Sequence, residues 1–150
     1  MHLKINTKVK SNYMDVKKGF NKELFLKLNP PFPPVELKEF GGCEKGDKVH
    51  LVLNFIFFKQ HWISDITYDH TDDQLFEFID EGVRLPFFLK YWKHHHVVRS
   101  DKDGGATIVD DITFKSPFLL MDYLLYPLLW GQFIYRKPIY RKFFQERHGF

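Results

Sequence analysis

Two histidines and one aspartate are the residues of this sequence whose types and spacing are best suited to metal binding or proton transfer. His94 and His96 lie two residues apart in a strand-like segment, so their side chains share one face of a sheet. The segment Asp101-Lys102-Asp103-Gly104 has Asp first and Gly last. This pattern is typical of a type I turn followed by a left-handed glycine in a hairpin loop. The turn predicts that Asp101 pairs with Gly105, and therefore that His96 pairs with Asp110.

Two kinds of chemistry fit His94, His96 and Asp110. Two imidazoles and one carboxylate form a ligand set suited to Fe(II) or Zn(II). Alternatively, His96 and Asp110 form a cross-strand hydrogen-bonded pair inside a cavity. No HExxH-type signature supports a metal. We therefore favour the hydrogen-bonded pair, predict no metal or other cofactor, and assign no catalytic residue.

Asp110 alternates with apolar residues, so its carboxyl group is predicted to face the core. A carboxylate in that position must be paired or must become neutral, because burying an isolated charge is costly. Its candidate partners are His96 and Arg136, and the resulting pair could orient a bound ligand. Asp111 points the other way and is predicted to be solvated. The apolar residues on the face of Asp110 are Ile108, Ile112 and Phe114.

The elements that must position these residues are strands and one long helix. Period-two alternation predicts a strand at His2–Val9, and two short helices follow before a proline-rich link. The helix that closes the chain is predicted from about Leu119 to Gln145, with a kink at Pro127 or Pro138. The sequence thus predicts one α+β domain, residues 1–150, with six or seven antiparallel strands around that helix. The remaining predicted strands cover residues 35–40, 48–58, 62–70, 74–83, 86–99 and 105–115.

Aromatic residues are unusually frequent, with 17 Phe, 7 Tyr and 3 Trp in 150 residues. Such bulk fills a core or lines an apolar cavity. In a curved sheet that grips a helix, we expect some of these rings to line an enclosed pocket between sheet and helix. Each single ring is also compatible with ordinary core packing. The rings predicted to line the pocket are Trp62, Tyr68, Trp92, Trp130 and Tyr135.

Composition excludes several classes of function. A net charge of +3 without a Lys/Arg stripe argues against nucleic-acid binding. The single cysteine, Cys43, rules out an internal disulfide framework and favours a reducing compartment, so we expect a cytoplasmic protein. The apolar run from Phe118 to Tyr135 contains Asp122 and Pro127, which argues against stable membrane insertion. We expect a monomer or weak homodimer.

Several short motifs, spread over nearly the whole chain, resemble the START-like superfamily, also called SRPBCC or Bet v 1-like. The resemblance is narrower to its small bacterial cytosolic branch, which includes cell-division-inhibitor-like and polyketide-cyclase-like proteins. The gap between Pro86 and Trp92 is two residues longer than in that pattern. The motifs are Leu28-Asn29-Pro30, Phe78-Ile79-Asp80, Pro86-Phe87, Trp92-Lys93-His94-His95-His96, GATIVDDITFKSP from Gly105 to Pro117, and Phe133-Ile134-Tyr135-Arg136.

The resemblance implies a helix-grip fold and a cavity for a small apolar or lipid-like ligand. The first functional hypothesis is therefore a binding module for such a ligand. The alternative is a cavity enzyme of cyclase or hydrolase type that uses His94, His96 and Asp110, with or without a metal. A third hypothesis is a membrane-surface protein that uses the aromatic C-terminal helix.

Overall fold

Residues 1–146 form seven strands and three helices in the computed structural model, which describes side chains up to residue 145. The last four residues of the predicted domain, 147–150, lie outside the described residues. The elements are β1 (His2–Val9), α1 (Tyr13–Gly19), α2 (Lys22–Lys27), β2 (Val35–Phe40), β3 (Lys48–Asn54), β4 (Lys59–Thr71), β5 (Leu75–Arg84), β6 (Tyr91–Ser100), β7 (Ala106–Lys115) and α3 (Leu119–Glu146).

One curved antiparallel sheet contains all seven strands, in the order β1-β7-β6-β5-β4-β3-β2. Strands β2 to β7 each lie beside their neighbour in sequence, whereas β1 pairs with β7 at the far edge. The helices α1 and α2 therefore connect the two edge strands, and α3 packs on the sheet as the long closing helix. The predicted α+β helix-grip architecture is confirmed.

The short helices are fixed by asparagine caps. The side chain of Asn12 accepts a hydrogen bond from the backbone of Asp15 at 3.0 Å, and that of Asn21 accepts one from Leu24 at 3.1 Å. Each cap satisfies a donor that a helix N-terminus otherwise leaves without a partner. Ser11, the residue before Asn12, donates to the carbonyl of Phe144 at 2.6 Å and ties this corner to α3.

The turn between β6 and β7 has the predicted form. The backbone of Asp101 donates to the Gly105 carbonyl at 2.9 Å, and Gly104 has a φ of +86°. A positive φ favours glycine, because a side chain would be strained there. The resulting register pairs His96 with Asp110, and it leaves Asp110 buried while Asp111 points outward.

Two predicted strand boundaries were wrong by four residues or more. The strand predicted over 48–58 ends at Asn54, because Phe55 and Phe58 exchange backbone hydrogen bonds and close a tight turn. The strand predicted over 86–99 begins only at Tyr91, after a turn in which Leu89 donates to the Pro86 carbonyl at 3.0 Å. The sequence does not reveal these two turns, because their residues are mostly aromatic and include no Gly or Asn, the residues that usually mark a turn.

The helix α3 agrees with the prediction to within one residue at its C-terminal end. Pro127 and Pro138 both lie inside it, and the kink at one of them stays a prediction. Within residues 1–146, no helix has the length and apolarity needed to cross a membrane. The buried face of α3 contains Leu129, Phe133, Tyr140, Phe143 and Phe144.

A polar layer divides the interior into two apolar clusters. One cluster joins α1, α2 and the end of α3 around Ile108 and Tyr140, and the other surrounds Ile112 and Phe133. Asp110 lies between Ile108 and Ile112 on β7, and Arg136 lies between Phe133 and Tyr140 on α3. The fold therefore brings chemically active residues to the middle of its core, where isolated charge is expensive.

Candidate functional site

A cavity of about 700 Å³ lies between the sheet and α3. It reaches the surface at Phe32, Phe87 and Leu128, which are 57%, 60% and 65% exposed. The pocket that the sequence predicted as enclosed is therefore open at one end. The polar residues of its lining are Asn21, Asn29, Cys43, Ser64, Asp80, His94, His96, Gln132, Arg136 and Tyr140.

The first part of the polar layer is a buried contact between β6 and β7. His94 Nε2 lies 2.9 Å from Asp110 Oδ1, whereas His96 Nδ1 lies 3.8 Å from the same oxygen. The hydrogen-bonded partner of Asp110 is therefore His94, not the predicted His96. His96 is directly opposite Asp110 in the register, but its ring stacks on Phe78, with centroids 4.2 Å apart. Diagonal neighbours in a sheet can be reached by long side chains, which explains the exchange of partners.

Burial sets the protonation of this contact. It lowers the pKa of both His94 and His96 well below 6.5, and it raises the pKa of Asp110. Burial disfavours the charged form of each group, and the cation of Arg136 further disfavours protonated histidine. Both imidazoles are therefore neutral at pH 7, and one proton lies between His94 Nε2 and Asp110 Oδ1.

His94, His96 and Asp110 are also the described residues whose ligand atoms lie close enough for one metal, within 4.8 Å of one another. The two imidazole rings lie close together, with centroids 3.5 Å apart and planes inclined by 32°. His94 Nε2 and Asp110 Oδ1 are already joined by the 2.9 Å hydrogen bond, which favours the hydrogen-bonded interpretation.

Asp80 is a member of the site that the sequence analysis did not select. It pairs with His94 across β5 and β6, and it lines the cavity. One of its carboxylate oxygens, Oδ1, is buried and has no hydrogen-bond partner among the described residues. Burial raises its pKa to about 6, although Ser64, Arg136 and Trp92 favour the ionised form. The sequence does contain a signal for this position. Asp80 alternates with the buried Phe76 and Phe78 on the same strand, so its side chain is expected on the inward face.

Arg136 supplies the positive charge of the site. Its guanidinium carbon lies 4.3 Å from the centre of the Phe133 ring, and it borders the cavity. Its charge influences the pKa values of Asp80, Asp110 and Tyr140. Among residues 1–145, Arg136 makes no ion pair within 4.0 Å. The direct ion pair of Arg136 with Asp110 that the sequence suggested is therefore not formed, although the charge of Arg136 still favours the ionised forms of Asp80 and Asp110.

Solved structures with this architecture are found at low sequence identity. Norcoclaurine synthase from Thalictrum flavum, a point mutant in complex with a transition-state analogue, has a TM-score of 0.70 and 12% identity, over 98% of this chain and 95% of that one. Ara h 8.0201 has a TM-score of 0.58 and 13% identity, over 93% and 97%. The chain has the Bet v 1-like helix-grip fold.

A further structure with this fold is the di-domain ARO/CYC StfQ from the steffimycin biosynthetic pathway. Its TM-score is 0.68 and its identity 11%, over 99% of this chain and 52% of that chain. No protein-family profile matches the chain, and no curated protein is significantly similar in sequence. These likenesses establish the Bet v 1-like fold that the sequence motifs suggested, and the fold alone.

Within this Bet v 1-like fold, only part of the predicted aromatic lining borders the cavity. Trp62 and Trp92 do so, with their ring centroids 4.8 Å apart in an edge-to-face arrangement. Tyr68, Trp130 and Tyr135 are 42%, 49% and 45% exposed and lie outside the lining. The buried residues Ile108, Ile112 and Phe114 pack in the core beneath the cavity.

The misplaced aromatics have two physical causes. The register of β4 shifts between Ile66 and Tyr68, so the alternation that buries Ile66 does not carry Tyr68 inward. A bulge reverses the faces of all residues beyond it. On α3, the inward positions follow the spacing of Leu129, Phe133 and Tyr140, and Trp130 and Tyr135 lie off that face.

Proposed function

We propose that the chain binds a small, mainly apolar molecule in the cavity between its sheet and α3. The observation that carries this proposal is the cavity itself, with a volume of about 700 Å³ and a mainly apolar lining. Protein interiors are normally packed to crystal density and leave few voids larger than a water molecule. Ligand pockets typically have about 300–1,000 Å³ and a few convergent polar groups. This cavity has both properties.

The structural neighbours support the same proposal. Norcoclaurine synthase is described in complex with a transition-state analogue, and also with dopamine and hydroxybenzaldehyde. Those proteins thus accommodate small molecules on the same fold. The cytoplasmic location and the monomeric or weakly dimeric state stay predictions from the sequence.

A second candidate function is an enzyme of cyclase or hydrolase type, and the position of Asp80 favours it. Its carboxyl group faces the cavity with a pKa of about 6. General acid–base groups work best when their pKa lies near the working pH. In this alternative, Asp80 exchanges a proton with a bound substrate, while the buried contact of His94 with Asp110 orients the adjacent imidazole and His96 lies beside it. Native mass spectrometry of gently purified protein separates the two functions, since a binding module retains its ligand unchanged.

Filling the cavity should weaken binding strongly without unfolding the protein. Leu51 lies on β3 opposite Trp62 and borders the cavity, so Leu51→Trp places an indole in the ligand space. We expect the affinity for the neutral probe Nile red, measured by fluorescence titration, to fall by about tenfold or more. Val83→Trp is the matched control, because Val83 is exposed and outside the lining. Absence of saturable probe binding to the unmodified protein, or equal losses in both variants, would contradict the proposal.

A further inference from the structure

Arg136 is a cation that faces an apolar cavity, and no described residue forms an ion pair with it. Among the described residues that line the cavity, it is the one Lys or Arg. A guanidinium keeps its proton under all ordinary conditions, so the charge cannot be removed by titration. The guanidinium group of Arg136 lies over the face of the Phe133 ring, and this contact does not use its N–H groups as hydrogen-bond donors. A ligand that carries a negative charge would complete this arrangement.

Other polar groups near Arg136 also lack partners among the described residues. Asp80 Oδ1 and His96 Nδ1 are buried, and neither has a hydrogen-bond partner there. Both belong to residues that border the cavity together with Arg136 and Tyr140. Buried polar atoms without partners are rare and are usually satisfied by a bound molecule or by water. These atoms mark the end of the cavity where the polar part of a ligand would lie.

We propose that this end of the cavity binds the carboxylate of an amphipathic monocarboxylic acid, with Arg136 as its counter-ion and with Asp80 taking up one proton as the acid binds. The inference rests on the proposed function and names the class of its ligand. A ligand ammonium is disfavoured by the charge of Arg136. A phosphate monoester is disfavoured because it carries up to two negative charges opposite one cation.

The proton balance follows from the surroundings of Asp80. The groups that face it are Ser64 from β4, Trp92 and His94 from β6, and Arg136 from α3, while Cys43 and Glu81 add longer-range effects. His94 is neutral, and burial raises the pKa of the Cys43 thiol to about 12, so neither donates the proton. Glu81, the next residue on β5, points to the other face of the strand.

A second carboxylate beside Asp80 raises the pKa of Asp80 further, since like charges disfavour ionisation. At pH 7 Asp80 is mostly ionised in the free protein, given its pKa of about 6. On binding, it takes a proton from solvent and donates its O–H to one oxygen of the ligand, while Arg136 donates N–H groups to the ligand carboxylate. The one bond formed is the O–H of Asp80, whose proton comes from solvent, so the complex gains up to one proton per ligand.

The test compares decanoate with 1-decanol, which have the same chain and differ in the charged end. Both are measured by displacement of Nile red at pH 7. We expect Arg136→Gln to lower the affinity for decanoate by about tenfold or more and to change the affinity for 1-decanol by less than about twofold. Arg136→Lys, which keeps the charge, should recover part of the loss. Arg141→Gln is the control, because Arg141 is exposed on the same helix and outside the cavity.

Calorimetric titration of decanoate in phosphate and in Tris measures the proton uptake. We expect about one proton per ligand for the unmodified protein and almost none for Asp80→Asn. Equal weakening of both probes by Arg136→Gln, or unchanged uptake in Asp80→Asn, would overturn the inference while leaving the proposed function intact. Failure of decanoate, 1-decanol and Nile red alike to bind would overturn the proposed function itself. Circular dichroism at pH 7 verifies the fold of each variant.

Discussion

Replacing Asp110 by alanine should lower the free energy of unfolding by about 1–3 kcal/mol. Asp110 is fully buried, and its Oδ1 holds the hydrogen bond to His94 Nε2 at 2.9 Å. Without the carboxyl group, a buried imidazole nitrogen is left without a partner and a small void opens between Ile108 and Ile112. Urea denaturation at pH 7, followed by circular dichroism, measures the loss.

Asp111 provides the matched control, since it is the next residue on the same strand and points to the other face. It pairs with His2 at 2.7 Å and Lys4 at 3.5 Å, and both partners are exposed. Because exposed ion pairs contribute little, we expect Asp111→Ala to change stability by less than about 1 kcal/mol. Asp110→Asn should fall between the two, because the amide keeps an oxygen acceptor. Equal losses at positions 110 and 111 would show that the buried contact does not stabilise the fold.

The register that separates Asp110 from Asp111 was predictable from the sequence because a short turn determines it. Asp101 and Gly104 define that turn through a hydrogen bond and a positive φ, both of which depend on local residue types. From that point, strict alternation on β6 and β7 places each side chain. Period-two alternation likewise predicted β1, and both short helices lie where the sequence placed them, between β1 and the proline-rich link.

What the sequence did not predict depends on contacts between distant segments. The bulge that turns Tyr68 outward arises where β4 pairs with β5, and the partner strand contributes to it. Whether Trp130 or Leu129 faces inward depends on how α3 is rotated against the sheet, and an almost wholly apolar helix does not reveal that rotation. The exchange of His96 for His94 as the partner of Asp110 depends on ring stacking against Phe78.

Lowering the pH should change the free energy of unfolding of two variants, His96→Phe and Asp80→Asn, in opposite directions relative to the unmodified protein. The folded state holds His96 neutral, with its pKa well below 6.5, whereas the unfolded chain protonates it near that pH. The unfolded state thus binds more protons, and this group removes stability as the pH falls below about 6.5. In Asp80, by contrast, the folded pKa of about 6 exceeds the ordinary 3.8. The folded state then binds more protons, so this group adds stability as the pH falls through about 6 toward 4.

Each variant removes one of these opposing contributions. Between pH 7 and pH 4.5, His96→Phe should gain stability relative to the unmodified protein, by up to about 2–3 kcal/mol. Asp80→Asn should lose stability relative to it over the same range, by up to about 2–3 kcal/mol. His94 and Asp110 also oppose each other, and both remain in each variant. Urea denaturation at the two pH values gives the four differences. If both variants shifted in the same direction, the neutral histidine and the raised carboxyl pKa could not both describe this layer. A phenylalanine at position 96 keeps the stacking on Phe78. The comparison therefore measures the effect of protonating His96 separately from the effect of losing its ring contact.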